Sequence, residues 1–385
     1  MGAIRLQQDR LKWASQAAAA TWTAFDVQLV MYAGLLAGMG LVMAYTNSYE
    51  SGIAPLSTGS TFARGLIWTA IAIVVFLAAT AFDYRWLKSF AWPLYFVNLG
   101  LLLVSLAIGS GAGGSARWVS LLGMQFQFSE LAKVLMAVVL ANWISSRETQ
   151  VSGLLTILGA GVLVAPAIVL VAMQPDLGTS LVFGAMLMGT LFISGASLRW
   201  LVVLAAAIVA AIPFAWTYFL RDYQKQRLIS FLDPAADPQG SGYHVIQSMI
   251  AVGSGGAFGK GLTNGTQNSL DFLPVQSTDF VFSILAEELG FVGALVVFLL
   301  FAALIWRVLL VAWRSEDPFG LAFGGAIASM LLFQVLVNVG MTIGIMPVTG
   351  IPLPFITYGG ASLISIALAL GVLQSINLRQ VRPKW

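Results

Sequence analysis

The sequence predicts an all-α polytopic membrane protein with about ten transmembrane helices, on three observations. First, 59% of the 385 residues are hydrophobic and only 9% are charged, with a mean hydropathy of +0.88. That leaves too little polar surface to cover a water-facing core. Second, the apolar residues come in repeated runs of roughly 20, the length a helix needs to cross hydrocarbon and about twice that of a barrel strand. Third, lipid offers backbone groups no hydrogen-bond partner, so spans of this length must be helices.

Read between charges and turn signals, the runs fall at 27–45, 64–82, 89–109, 130–146, 153–173, 178–196, 200–220, 280–306, 319–344 and 362–378. Before the first run, residues 1–26 carry Arg5, Arg10 and Lys12 but no apolar core followed by a small-residue cleavage site. The first span is therefore expected to serve as its own anchor. With both termini cytoplasmic, twelve of the 19 Lys and Arg fall on inner segments, as the positive-inside rule requires. The expected organisation is a cytoplasmic segment 1–26, one transmembrane domain over 27–379, and a cytoplasmic tail 380–385. A large extracytoplasmic loop, 221–279, joins spans seven and eight. No internal repeat is visible.

Composition also excludes function classes. Zero cysteines rule out disulfides and thiolate metal sites, and the single histidine, His244, rules out a multi-histidine one. The net charge of +3 is scattered among short loops, which fits membrane orientation and not nucleic-acid binding.

The inner loops are short connectors, so function is expected at the outer face, where three segments are not simple membrane filler: 109–133, 221–280 and 346–363. The stretch FLPVQSTDFVFSILAEELG (272–290) places Asp279, Glu287 and Glu288 among apolar residues. Ser277 or Thr278 is placed to cap span eight, which would make Asp279 a first-turn carboxylate favoured by the helix dipole. Against that, Phe280 and Phe282 flank it, and a carboxylate partly withdrawn from water is a stronger proton acceptor. Glu287 and Glu288 point about 100° apart on a helix, so one of the two is expected to face the interior, in a structural pair. Glu130 and Lys133, one turn apart, suit an internal ion pair or a functional site equally. Arg117, beside Trp118 in a Gly/Ser-rich loop, suits an interface anchor or a phosphate fork. Asp176 in MQPDLGTS reads as a turn or cap residue. His244 is expected to make a loop hydrogen bond. GSGGAFGKG (253–261) has no glycine five residues before Gly259 and no Ser or Thr after Lys260, so it is not a nucleotide loop. Its glycines are expected to permit close backbone approach.

An outer cavity with a carboxylate and nearby cations suits transfer onto a lipid-linked anionic substrate. It suits a lipid-linked precursor flippase or proton-coupled transporter equally well. Five stretches, GSARWVSLLGMQFQFSELAK, QPDLGTS, DPQGSGYHVIQSMIAVGSGGAFGKGL, FLPVQSTDFVFSILAEELGFVG and LPFITYGGASL, resemble in order the SEDS (shape, elongation, division and sporulation) family. GYHVIQS, GKGL and AEELGFVG resemble its elongation-type RodA branch more than division-type FtsW. The resemblance implies a peptidoglycan glycosyltransferase of the bacterial cytoplasmic membrane, polymerising lipid II into undecaprenyl-linked glycan at the outer face. Its partners would be a class B penicillin-binding protein and other membrane proteins of the elongation machinery. It implies Asp279 as the essential catalytic aspartate of TDF, with Arg117, Lys133, Glu130 and Asp176 toward the substrate, and it leaves a divalent cation (Mg or Mn) open. The sequence departs from the family at SARW, at Phe128 in place of proline, at Ser277 where histidine is usual, and at Ala361 within the GGSS stretch. The missing histidine argues against a catalytic His–Asp pair.

Overall fold

The computed structural model describes residues 24–50, 52–57, 59–109, 118–121, 124–218, 220–233, 242–266 and 279–379. Among the described residues, nine helices long and apolar enough to cross a membrane, together with the shorter apolar α7, occupy the ten expected spans: α1 (Val27–Glu50), α2 (Thr61–Ala81), α4 (Ala91–Ile108), α5 (Phe128–Ser145), α6 (Leu154–Met173), α7 (Leu177–Ile193), α8 (Leu198–Tyr218), α11 (Val281–Trp313), α12 (Pro318–Thr342) and α13 (Gly360–Leu378). Shorter elements lie at the bundle ends. These are α3 (Tyr84–Ser89), a hairpin of β1 (Val119–Leu121) and β2 (Met124–Phe126) in register Val119↔Phe126, α9 (Asp222–Leu232) and α10 (Tyr243–Ser254).

Polar residues at the span edges start the helices by accepting from exposed backbone N–H groups. Asp26 accepts from Leu29, Ser60 from Ala63, Asp83 from Arg85 and Asp317 from Phe319. One expected boundary is wrong: α11 continues to Trp313, past the expected end at 306. Arg307 is a helical residue whose Nη2 reaches Asp26 Oδ2 at 2.5 Å, so the charge that marked the end of the run lies within the helix.

Helix α12 is central, packed against α5, α7 and α11, while α13 packs on α2 and α5. Small residues bring these helices close. A Cβ on Gly371 would lie 2.6 Å from Ala79 Cβ, and one on Gly189 would lie 1.8 Å from Ser329 Oγ. α13, α12 and α5 are the most enclosed long helices and α8 is the least. Large apolar side chains such as Leu155, Val162, Val209 and Leu299 point outward, a surface that only lipid covers at low cost. The chain is therefore an all-α polytopic membrane protein. At the end holding Ala24 and Leu378, Lys88 pairs with Asp317 at 3.0 Å and Arg379 with Asp83 at 3.8 Å. The candidate residues Glu130, Asp176 and Asp279 begin helices at the opposite end.

Candidate functional site

The acidic stretch is organised by a break in α11. Gly290 has φ 67° and ψ −168°, a conformation essentially confined to glycine. The break frees backbone groups on both sides, and in a membrane each must find another partner. The glycine-rich segment supplies them: Lys260 N donates to Glu287 O (2.9 Å), Gly261 N to Glu288 O (3.0 Å), Phe291 N to Gly256 O (2.9 Å) and Val292 N to Ala257 O (3.0 Å). The approach leaves no room for side chains. A Cβ on Gly290 would lie 2.2 Å from Gly259 N, and one on Gly259 would lie 2.0 Å from Glu288 O.

This arrangement corrects the expectation that only one of the paired glutamates turns inward, because both are fully buried. The wrapped segment covers Glu287, whose Oε1 accepts from Lys260 Nζ (2.6 Å), Thr266 N (2.9 Å), Thr266 Oγ1 (2.9 Å) and Ser254 Oγ (3.4 Å). Glu288 Oε2 instead accepts from Thr46 Oγ1 on α1 at 3.2 Å. The outer piece of α11, residues 281–289, is thus anchored to a loop and to α1.

Asp279 stands just ahead of that piece and is half-buried. The N-cap of α11 is Phe280, with no side-chain cap bond. The expected capping residues Ser277 and Thr278 lie outside the described residues, and Asp279 precedes the N-cap and so is not a first-turn residue of α11. Phe280 is buried with Ala251 and Val348, and its ring centroid lies 6.4 Å from that of His244. His244 belongs to the first turn of α10 and not to a loop. Burial pushes its pKa below the ordinary 6.5. Asn338 of α12 donates from Nδ2 to Asp279 O (3.3 Å) and to Ile351 O (2.8 Å).

Glu130 and Lys133 open α5 and pair at 2.8 Å, each with 2% of its side chain exposed. Asp176 is buried as the N-cap of α7. It accepts from Thr179 N (3.1 Å) and Thr179 Oγ1 (3.0 Å), and from Gln127 Nε2 (3.2 Å), which ties the start of α7 to the start of α5. Arg117 lies outside the described residues.

The proline-rich segment 344–359 joins the two halves of the site. A Cβ on Gly178, two residues after Asp176, would meet Ile351 Cγ1 at 2.7 Å and Thr349 O at 2.8 Å. On the other side, Val348 packs on Phe280 and its carbonyl accepts from Arg227 Nη1 at 3.4 Å. Two shallow, adjoining hollows, each half open to the surface, lie between α1, α2 and residues 355–360 and share Ala44, Ile356 and Tyr358. Val281 and Ile284, from the first turn of α11, line the second. An apolar recess therefore opens beside the helix that follows Asp279. Among the described residues no three carboxylate or histidine side chains converge.

The sequence reading passed over Asn338, Gln127 and the anchoring role of Lys260 and Thr266. The visible signal for the first was Gln334 and Asn338, four apart in an otherwise apolar span and hence on one helix face. No comparable local signal marks the others.

The FtsW/RodA/SpoVE family of cell cycle proteins matches residues 27–381. The Escherichia coli peptidoglycan glycosyltransferase MrdB is 41% identical over 308 residues, 80% of this chain and 83% of that protein. Stage V sporulation protein E of Bacillus subtilis is 34% identical over 362 residues, 92% and 97% of the two chains. Among solved structures, a chain of a peptidoglycan synthase complex aligns with a TM-score of 0.77 at 32% identity, covering 92% of this chain and 98% of that one. The rod shape determining protein RodA of Thermus thermophilus aligns at 0.69 and 28%, covering 94% and 99%. Matched by the family model over residues 27–381 and 41% identical to MrdB over 80% of its length, this chain belongs to the SEDS family of FtsW, RodA and SpoVE.

Proposed function

We propose that this chain polymerises lipid II into β-1,4 glycan strands at the outer face of the bacterial cytoplasmic membrane during cell elongation, with Asp279 as general base. That it is a peptidoglycan glycosyltransferase is carried by relatives of that activity at up to 41% identity. The elongation role rests on the resemblance of GYHVIQS, GKGL and AEELGFVG to the RodA branch.

The observation that supports the mechanism is the placement of Asp279: half-buried, just ahead of an anchored helix whose first turn, at Val281 and Ile284, lines an apolar recess. In this reading the recess takes part of an undecaprenyl chain. Asp279 removes the proton from the 4-hydroxyl of an acceptor GlcNAc, and that oxygen bonds to the anomeric carbon of the donor MurNAc. The bond from that carbon to the diphosphate oxygen breaks, and undecaprenyl diphosphate leaves with the electron pair while the proton stays on Asp279. The leaving group needs no proton, so one base suffices for an inverting transfer. Lys133 and Arg117 are assigned to the charge that builds on the diphosphate. Glu130 and Asp176 are assigned to holding that side of the site in place. A class B penicillin-binding protein is the partner this reading adopts, since the structural relative belongs to a complex described as coordinating polymerization and crosslinking.

The test is polymerisation by the purified chain supplied with lipid II. Asp279→Asn keeps the shape and removes the basicity, so product formation should fall roughly 10²- to 10⁴-fold with lipid II still bound. Full activity of that variant would remove Asp279 from the chemistry. Leaflet-to-leaflet movement of labelled lipid without polymer would replace transfer with transport.

A further inference from the structure

We infer that Asn338 is a positioning residue for Asp279, an inference that rests on the transferase reading above. Asn338 is fully buried in α12, where a carboxamide has no water to fall back on. Both of its N–H groups are used: Nδ2 donates to Asp279 O at 3.3 Å and to Ile351 O at 2.8 Å. The orientation is dictated by chemistry, because turning the amide over would set Oδ1 against two carbonyl oxygens. Oδ1 is itself buried with no hydrogen-bond partner in the structure, which is a cost. The side chain is therefore kept for its two donors.

What those donors hold is specific. Helix α11 begins with Ser283 N and Ile284 N donating to Phe280 O, so the carbonyl of Asp279 lies outside the helical ladder. Asn338 fixes it from a neighbouring helix, which sets the plane of the Asp279–Phe280 peptide and hence the direction from which the Asp279 side chain leaves the backbone. The second donor holds Ile351 in the segment that also packs on Gly178 and Phe280. One amide thus fixes the candidate base relative to the loop between the two halves of the site. Proton abstraction in an ordered site tolerates little displacement, and a shift of about 1 Å costs on the order of 100-fold in rate.

The experiment measures kcat, KM and lipid II binding for the wild-type protein, for Asn338→Ala and Asn338→Ser, and for each substitution combined with Asp279→Asn. Thermal unfolding in detergent is followed alongside. The expected result is a kcat roughly 100-fold lower in Asn338→Ala, with KM and lipid II binding within about threefold. Asn338→Ser, whose hydroxyl can donate one bond, should fall between. With Asp279 already replaced, neither substitution should lower the residual rate further, because a positioning residue acts through the group it positions. A purely structural role predicts instead that losses in rate, binding and unfolding temperature move together in both backgrounds, and that outcome would overturn the inference. If Asn338→Ala does not fold, Asn338→Ser decides on the same criteria. Wild-type polymer with an unchanged kcat in the folded variant overturns this inference alone. Absence of wild-type polymer overturns the transferase reading, and this inference with it.

Discussion

At the residue scale, the buried Glu130–Lys133 pair is a costly polar feature of the membrane interior. Each partner exposes only 2% of its side chain, so removing one leaves the other charged or forced to neutralise in a low-dielectric site. Lys133→Met should destabilise the protein by about 3–5 kcal/mol, and Glu130→Gln by a similar amount. The double variant should recover much of that loss while remaining inactive, if Lys133 serves the leaving diphosphate. Detergent-solubilised unfolding curves for the three variants, compared with their polymerisation rates, separate packing from chemistry. His244 yields a second expectation at this scale. Its burial holds the folded-state pKa below 6.5, so the unfolded chain takes up the proton first as pH falls. Stability present above about pH 6.5 should therefore be lost progressively below it. His244 is the sole histidine of the chain, so unfolding temperatures at pH 7.5 and 5.5 should differ less in His244→Gln than in the wild type.

At the scale of elements, the informative object is the broken helix α11. Its outer piece, 281–289, is too short to be stable alone. It is held by two backbone bonds, from Lys260 N to Glu287 O and from Gly261 N to Glu288 O, and by the Glu287 cluster. Gly290→Ala forces a side chain into a left-handed backbone position 2.2 Å from Gly259 N, and it should be severely destabilising, by more than the ~1–3 kcal/mol of backbone strain alone. Glu287→Gln keeps the size but gives up the charge that Lys260 meets at 2.6 Å. It should loosen the loop without unfolding the bundle, which faster limited proteolysis within 254–266 at an unchanged main transition would reveal. Equal protection of that loop in Glu287→Gln and wild type would remove the cluster from this role. The glycines of GSGGAFGKG announce a close backbone approach, met at Gly255 and Gly259, but not its partner. The partner backbone lies about thirty residues further along, and the pairing exists only because Gly290 opens the helix.

At the scale of the whole molecule, the ten spans were legible because lipid imposes one rule on every segment alike: apolar length and internal hydrogen bonding. The Glu130–Lys133 pair was legible for a similar reason, since i,i+3 spacing on a helix leaves little geometric choice. What was not legible depended on distant contacts. The burial of both Glu287 and Glu288 needs residues 46 and 254–266, and the hold on Asp279 needs α12. Orientation follows from a sum over the chain, and it can be checked directly because the protein has no cysteine of its own. Single cysteines placed at exposed loop positions then report only themselves. Ala54 lies between α1 and α2, and Thr149 lies between α5 and α6, both exposed. Counted from a cytoplasmic N-terminus, one span precedes the first site and four precede the second. A membrane-impermeant maleimide should label Ala54→Cys in intact spheroplasts and Thr149→Cys only after permeabilisation. The reverse pattern would put Asp279 on the cytoplasmic side, where no lipid II headgroup awaiting polymerisation would meet it, and the assignment of that carboxylate as a glycosyl-transfer base would fall with the topology.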